Sequence, residues 1–233
     1  MQYEELELVL LRHGLTQWNA ERRYLGQTDL SLLPSILEQL SGQKEQNGLL
    51  GDFWRVYSSD LLRCRETLAC MMPAFRDVVV YDNRLREMNF GDWEGFTYEQ
   101  LKSNSLYRSW LDEPWAITPP NGEAWEAFES RVDEFLSELL LAVKEVYLLH
   151  HESGAADGAL SNAKSESVSD GVLPGHSPKR VLIVTHGGVI RQLLARTIPE
   201  LTFRDAVAPS PGTVTVLKLL WRGGQWSAVT GKS

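Results

Sequence analysis

Short apolar runs alternate along the chain with segments whose apolar residues recur every three or four positions. Residues 6–11, LELVLL, are the first run and end at Arg12-His13-Gly14. Such a run predicts a buried strand that delivers polar residues at its C-terminal end. A helix is expected over about 35–47. FWRVYS at 53–58 predicts a second strand, after which Asp60 is placed to cap a helix through LLRCRETLACMM, stopped before Pro73. VVVYD at 78–82 predicts a third strand. The polar, aromatic-rich REMNFGDWEGFTYEQL follows and turns helical from Thr97.

Residues 105–122 hold Trp110, Trp115 and three prolines and read as an irregular, lid-like segment. From Glu123 to Leu149 the spacing of Phe128, Val132, Phe135, Leu136, Leu139, Leu140 and Val143 predicts the longest helix. Residues 151–178 are rich in Gly, Ser, Ala and Asp, which predicts a flexible loop because such a composition buries too little surface to offset ordering entropy. VLIVT at 181–185 predicts a fourth strand ending at His186-Gly187-Gly188, followed by the helix VIRQLLAR. TVTVLKLL and QWSAVT, on either side of Arg222-Gly223-Gly224, predict a terminal hairpin. The alternation implies an α/β three-layer sandwich with a mostly parallel central sheet flanked by helices. It is expected as a single domain over 1–233, with the lid-like segment at about 97–122.

Composition narrows the function classes. The 233 residues are 43% hydrophobic and 23% charged, with a formal net charge of −8. These are globular proportions, and the acidic balance argues against a nucleic-acid surface while leaving room for a local cationic pocket. No run approaches the roughly 18 apolar residues of a membrane span. The acidic start MQYEELELVLL does not read as a signal peptide. Cys64 and Cys70 lie six apart on one predicted helix, hence on different faces, so neither a disulfide nor a zinc site is expected. A cytoplasmic setting follows as an expectation.

The candidate chemistry sits at the strand ends. Arg12 and His13 follow the first strand, Arg63 begins the helix after the second, Glu87 follows the third, and His186 follows the fourth. In parallel sheets ligands bind at the carboxyl ends of strands. Two arginines, two histidines and a carboxyl suit a phosphoryl group. Guanidinium groups bind its oxygens, a neutral imidazole attacks phosphorus, and a carboxyl protonates the leaving oxygen. Fixed cations neutralise the transferring group, so no metal or other cofactor is required. Taken singly, each of these residues also fits a structural role; their conjunction and order carry the reading. His150, His151 and His176 flank the polar loop and read as solvated.

LRHGLTQWNAERRYLGQTDLSL resembles the N-terminal signature of the histidine phosphatase superfamily (phosphoglycerate mutase-like, branch one). SSDLLRCRETLA, LREMNFGDWEG, the NGE segment with its long helix, and VLIVTHGGVIRQLL match further blocks in order. The resemblance implies that His13 becomes phosphorylated, that Arg12 and Arg63 hold phosphoryl oxygens, that His186 donates to the phosphoryl group, and that Glu87 is the general acid. It also implies that Asn19 contacts phosphate, that the Gly187 amide assists, and that Arg23 stands near the mouth of the site. The implied reaction requires His13 neutral, which Arg12 and Arg63 favour, and Glu87 protonated in the first step. Leu15 replaces the glutamate frequent after the RHG triplet, and Cys64 replaces a frequent alanine.

Within the family the run NFGDWEGFTYEQL, Trp110 and PPNGEAWEAFESRV are most similar to the α-ribazole phosphatases, which act on a cobalamin precursor. Tyr107, Trp110, Trp115 and Trp125 either face an apolar ring of such a substrate or pack the lid. A phosphoglycerate mutase is the alternative, disfavoured because the segment after Glu87 carries one lysine, Lys102, and no arginine pair. A catalytically silent binding module is disfavoured because every reacting group is present. The expected partner is a small phosphorylated metabolite, not nucleic acid or membrane, and a homodimer is left open.

Overall fold

The computed structural model describes residues 5–41, 49–153, 180–222 and 225–229. Strand β1 (Glu5–Arg12) is followed by α1 (Gln17–Ala20), α2 (Pro34–Ser41), β2 (Arg55–Ser58), α3 (Leu62–Met71) and β3 (Val80–Tyr81). Then come α4 (Tyr98–Leu101), α5 (Ser105–Asp112), α6 (Trp125–Ser153), β4 (Arg180–Thr185), α7 (Gly187–Thr197), β5 (Val214–Arg222) and β6 (Gln225–Ala228). The strands form one sheet in the order β3-β2-β4-β1-β5-β6. The pairs β1·β4, β2·β4 and β2·β3 are parallel; β1·β5 and β5·β6 are antiparallel. This is the expected α/β sandwich, with four parallel strands from the β3 edge to β1 and the predicted hairpin closing the other edge.

Alternation along β1 explains the layers. Leu6, Leu8 and Leu10 point to one face and pack with Phe128, Val132 and Phe135 of α6 and Val189, Ile190 and Leu193 of α7. Val9 and Leu11 point to the other face and pack with Leu40 of α2 and Cys64, Leu68 and Met71 of α3. Every one of these β1 side chains has zero exposure, which is why the run is apolar on both parities. A third cluster, Trp93, Leu101, Tyr107 and Trp110, packs beyond the strand ends.

Register then places the polar residues. Arg12 of β1 lies opposite Thr185 of β4, and Ser58 of β2 lies opposite Val184. The His13 amide continues the ladder to Thr185 O at 3.0 Å, and the Ser59 amide reaches Val184 O at 2.9 Å. His13, His186 and Ser59 therefore leave three adjacent parallel strands at one level.

Several expectations are corrected. Residues 105–112 are helical rather than irregular: Asn104 Oδ1 caps α5 by accepting the Tyr107 amide at 3.1 Å, and Tyr107 and Trp110 are buried. The third strand contracts to Val80–Tyr81 at the sheet edge. Helix α2 is described as far as Ser41; the rest of the stretch expected to 47 lies outside the described residues. So does the expected loop from residue 154 to 178, with His176, while α6 runs on to Ser153. The side chains of His150 and His151 are likewise outside the description. Cys64 and Cys70 are free thiols. Among the described residues no helix is long and apolar enough to cross a membrane.

Asp60 does not cap α3. It pairs with Arg86 through contacts of 2.5 and 2.7 Å, and the cap residue Leu61 offers no side-chain bond. The first amide of α3, Leu62 N–H, instead donates to Asp29 Oδ1 at 2.6 Å, from a loop 33 residues earlier. We therefore expect Asp29→Ala to cost about 1 kcal/mol in urea unfolding, as loss of a side-chain N-cap does. Asp60→Ala is expected to leave the helix end satisfied and to cost less.

Candidate active site

The site is built around two buried histidines whose ring centroids lie 5.0 Å apart. His13 Nδ1 is 2.7 Å from Gly14 O. A carbonyl only accepts, so Nδ1 carries the proton and Nε2 keeps its lone pair. His186 has the opposite tautomer. Arg63 Nε–H donates to its Nδ1 at 3.2 Å, so the proton sits on Nε2, directed at Ser59 Oγ at 2.9 Å. Burial, and then the charge of Arg63, hold both imidazoles well below their ordinary range, with Arg12 acting in the same direction. Both rings are neutral at pH 7.

Arg63 has zero solvent exposure. Its Nη1 donates to Thr28 O at 3.0 Å and its Nη2 to Gly26 O at 2.6 Å. Of five guanidinium donors, three are thus engaged by His186, Thr28 and Gly26, leaving one hydrogen on each terminal nitrogen. Arg12, at the end of β1, donates Nη1 to Pro209 O at 3.0 Å, while its buried Nε has no partner among the described residues. Gly187 lies against this guanidinium: a Cβ there would sit 3.3 Å from Arg12 Cζ. Desolvation lowers the pKa of both arginines and the charge of Glu87 opposes this.

Glu87 approaches the first turn of α7. Its Oε2 accepts the Gly188 amide at 2.9 Å and its Oε1 the Met88 amide at 3.1 Å. The approach depends on glycine, since a Cβ at Gly188 would lie 2.2 Å from Glu87 Oε1. Arg12, His13, Arg63, Glu87, His186 and Gly187 are therefore brought to one place. Asn19 stands in the capping box of α1, its Oδ1 accepting the Thr16 amide at 3.2 Å. Arg23 is engaged by the Glu21 carboxylate and by Gly95 O at 2.6 Å, with no bond to the histidine–arginine cluster.

Beside Glu87 opens a cavity of about 350 Å³. Tyr24, Phe90, Trp110, Trp125, Phe128 and Phe203 form its walls, with Arg191 and Arg204 among them and Glu87 and Gly188 at one side. Among the described residues neither arginine is paired with a carboxylate: Arg191 donates to the carbonyls of Phe203, Arg204 and Ala206, and Arg204 to Asp112 O. Of the aromatic residues singled out from sequence, Trp110 and Trp125 line this cavity. Tyr107 is fully buried in the Trp93 cluster, and Trp115 is 57% exposed with Arg204 stacked on it at 4.7 Å.

The profile of the histidine phosphatase superfamily (branch 1) matches residues 8–164, which include Arg12, His13, Arg63 and Glu87. The chain belongs to this superfamily. Among its relatives, the fructose-2,6-bisphosphatase TIGAR of Bos taurus is 31% identical over 248 residues, 94% of this chain and 90% of that one. The glucosyl-3-phosphoglycerate phosphatase of Mycolicibacterium vanbaalenii is 32% identical over 195 residues, 81% of this chain and 72% of that one. The alpha-ribazole phosphatase structure from Shigella flexneri matches with a TM-score of 0.69 at 23% identity, covering 98% of this chain and 96% of that one. That likeness concerns the fold.

Sequence reasoning gave no role to several residues that shape this candidate site. Ser59 had a signal, its place after a strand; its bond to His186 did not. Arg191 read as an ordinary residue of the helix VIRQLLAR, and Phe203 lies in a stretch whose sequence predicted no element. Cys64 Sγ lies 3.5 Å from His186 Nε2, and burial pushes its thiol up to about 12, so it is a neutral packing atom beside the imidazole.

Two outcomes are expected. The unfolded chain protonates His13 and His186 near pH 6.5, whereas the folded protein protonates them only well below it. Between those limits the unfolded state binds more protons, so stability is intact above pH 6.5 and falls as the pH drops. Urea unfolding from pH 6.5 to 5.5 is expected to show a slope of about 1 kcal/mol per pH unit for each histidine, shallower in His13→Asn. Gly188→Ala is expected to keep or raise the melting temperature, alanine being the better helix former, yet to lower kcat/KM about a hundredfold by displacing Glu87.

Proposed function

We propose that the protein hydrolyses phosphomonoesters through a phosphohistidine on His13, without a metal ion. His13 Nε2 attacks phosphorus in line while Arg12, Arg63 and His186 hold the phosphoryl oxygens, assisted by Asn19 and the Gly187 amide. The bond from phosphorus to the ester oxygen breaks, and Glu87 gives that oxygen its proton. Positive charge developing on the imidazole is taken up by the Nδ1–H bond to Gly14 O. Glu87 then removes a proton from water as the water attacks phosphorus. The P–N bond breaks, His13 returns to its neutral form, and phosphate leaves. With neutral imidazoles the two guanidinium charges of Arg12 and Arg63 favour a phosphate dianion.

One observation carries this reading. Glu87 forms part of the wall of the aromatic cavity while its carboxylate is bonded to the helix turn that follows His186. A proton donor shared by the two compartments stands where an ester oxygen passes from a phosphoryl pocket to a leaving-group pocket. The aromatic walls suit a flat apolar leaving group, which supports α-ribazole 5′-phosphate as substrate. A second reading is favoured by Arg191 and Arg204, which make no direct ion pair among the described residues, the Glu87 charge acting on Arg191 without a bond. They suit a leaving group bearing its own anion, as in a sugar bisphosphate or a phosphoglycerate derivative.

The test is kcat/KM, in the presence of a chelator, for α-ribazole 5′-phosphate, fructose 2,6-bisphosphate, glucosyl-3-phosphoglycerate and p-nitrophenyl phosphate. A preference of about a hundredfold, some 2.7 kcal/mol, for the ribazole ester supports the first reading. The same preference for an anionic alcohol, lost in Arg204→Ala, supports the second. Activity retained in His13→Ala overturns the phosphohistidine itself. Isomerisation of 3-phosphoglycerate faster than phosphate release makes the protein a mutase instead.

A further inference from the structure

Glu87 lies on irregular backbone, between short turns at Asn83–Leu85 and Gly91–Trp93. A proton donor on such a stretch acts only if the main chain around it is fixed. Arg131 of α6 does this from below. Its Nη1 donates to the carbonyls of Arg84 at 2.7 Å and Arg86 at 2.6 Å, and its Nη2 to the carbonyl of Glu87 itself at 3.0 Å. Its Nε and Nη2 reach the Glu123 carboxylate at 2.6 and 2.9 Å. Glu123 grips the chain on the other side. Its Oε2 accepts the Asn89 amide at 3.2 Å, and its own amide donates to Asn89 O at 2.8 Å.

These bonds account for all five guanidinium donors, so Arg131 has none left for a phosphate. The pair is mostly buried, at 16% and 14% side-chain exposure, where charge-assisted bonds are strong and a lone partner is costly. Its contacts converge on the main chain from residue 84 to residue 89, with Glu87 between them. A planar fork is required to reach several carbonyls and a carboxylate at once, which an ammonium cannot do.

We propose that Arg131 and Glu123 form a positioning clamp that fixes the Glu87 carboxyl against the leaving oxygen. The proposal rests on the reading of Glu87 as proton donor. It is tested by kcat/KM, which for this reaction reports steps up to phosphohistidine formation. Two esters are compared: an alkyl phosphate, whose alkoxide must be protonated, and 2,4-dinitrophenyl phosphate, whose phenolate leaves unprotonated. Glu87→Gln is the reference. Arg131→Lys, and Glu123→Gln as the isosteric second variant, are expected to lose about a hundredfold on the alkyl ester and to stay near wild type on the dinitrophenyl ester, with thermal melts confirming the fold. Equal losses on both esters, or no loss on either, in these variants overturn the clamp while Glu87→Gln still discriminates. If Glu87→Gln itself lowers both esters equally, the proton-donor reading fails first and the clamp with it.

Discussion

Arg63 carries a full positive charge at zero exposure, and the groups that hold it are two carbonyls and an imidazole rather than a carboxylate. Burying an ion is costly unless its donors are met. Each of its partners is therefore fixed in turn. Gly26 and Thr28 lie on a loop bound by Glu94, which accepts the amides of Gln27 and Thr28 at 2.9 and 2.8 Å. His186 is fixed in tautomer by the same guanidinium and by Ser59. The charge with no carboxylate bonded to it and the two neutral imidazoles beside it are one arrangement: the cation suppresses protonation of the rings, and the rings tolerate the cation because they are neutral.

The carboxyl partner of this cluster is held differently. Arg12 and Arg63 are placed by strand and helix, whereas Glu87 lies on irregular backbone and is placed by its bonds to the Gly188 and Met88 amides and by the missing side chain at Gly188. The histidine–arginine side of the site is thus anchored to the ends of the sheet's strands. The cavity side is set by loops and by the aromatic cluster of Tyr24, Phe90 and Trp110, whose rings meet edge to face at 5.2 to 5.9 Å. Relatives with different named substrates are consistent with that division, since loops vary more readily than strand ends.

What was legible in the sequence follows the same line. LELVLL and VLIVT announced buried strands because both parities are apolar, and their ends announced His13 and His186. Parallel pairing of β1 with β4 turns two distant histidines into neighbours, and that much of the site was readable from pattern. Helix α5 was obscured by the tryptophans and prolines around it, although Asn104 offered a cap. Asp60 was read as the cap of α3 because local rules favour the nearest acid. Asp29 occupies that role from a distant loop, and Arg86 takes Asp60. Tyr107 and Trp115 carried the same aromatic signal as Trp110 and Trp125, but burial and direction separate them, and neither is a local property. Arg131 was indistinguishable from a surface helix arginine, since its partners are carbonyls and carbonyls have no sequence signature.

The central strand β1 has a further consequence for how the molecule comes into being. Its Leu10 pairs on one side with Ile183 and on the other with Thr215, so both edges of β1 are completed by segments far along the chain from it. Contacts of such sequence separation slow folding, because loop closure precedes any gain from pairing. A nascent chain carries His13 long before it acquires His186. The pocket that joins the two histidines therefore exists only once β1 has met β4, and the pairing of β1 with its distant partners β4 and β5 is the step expected to set the pace of folding.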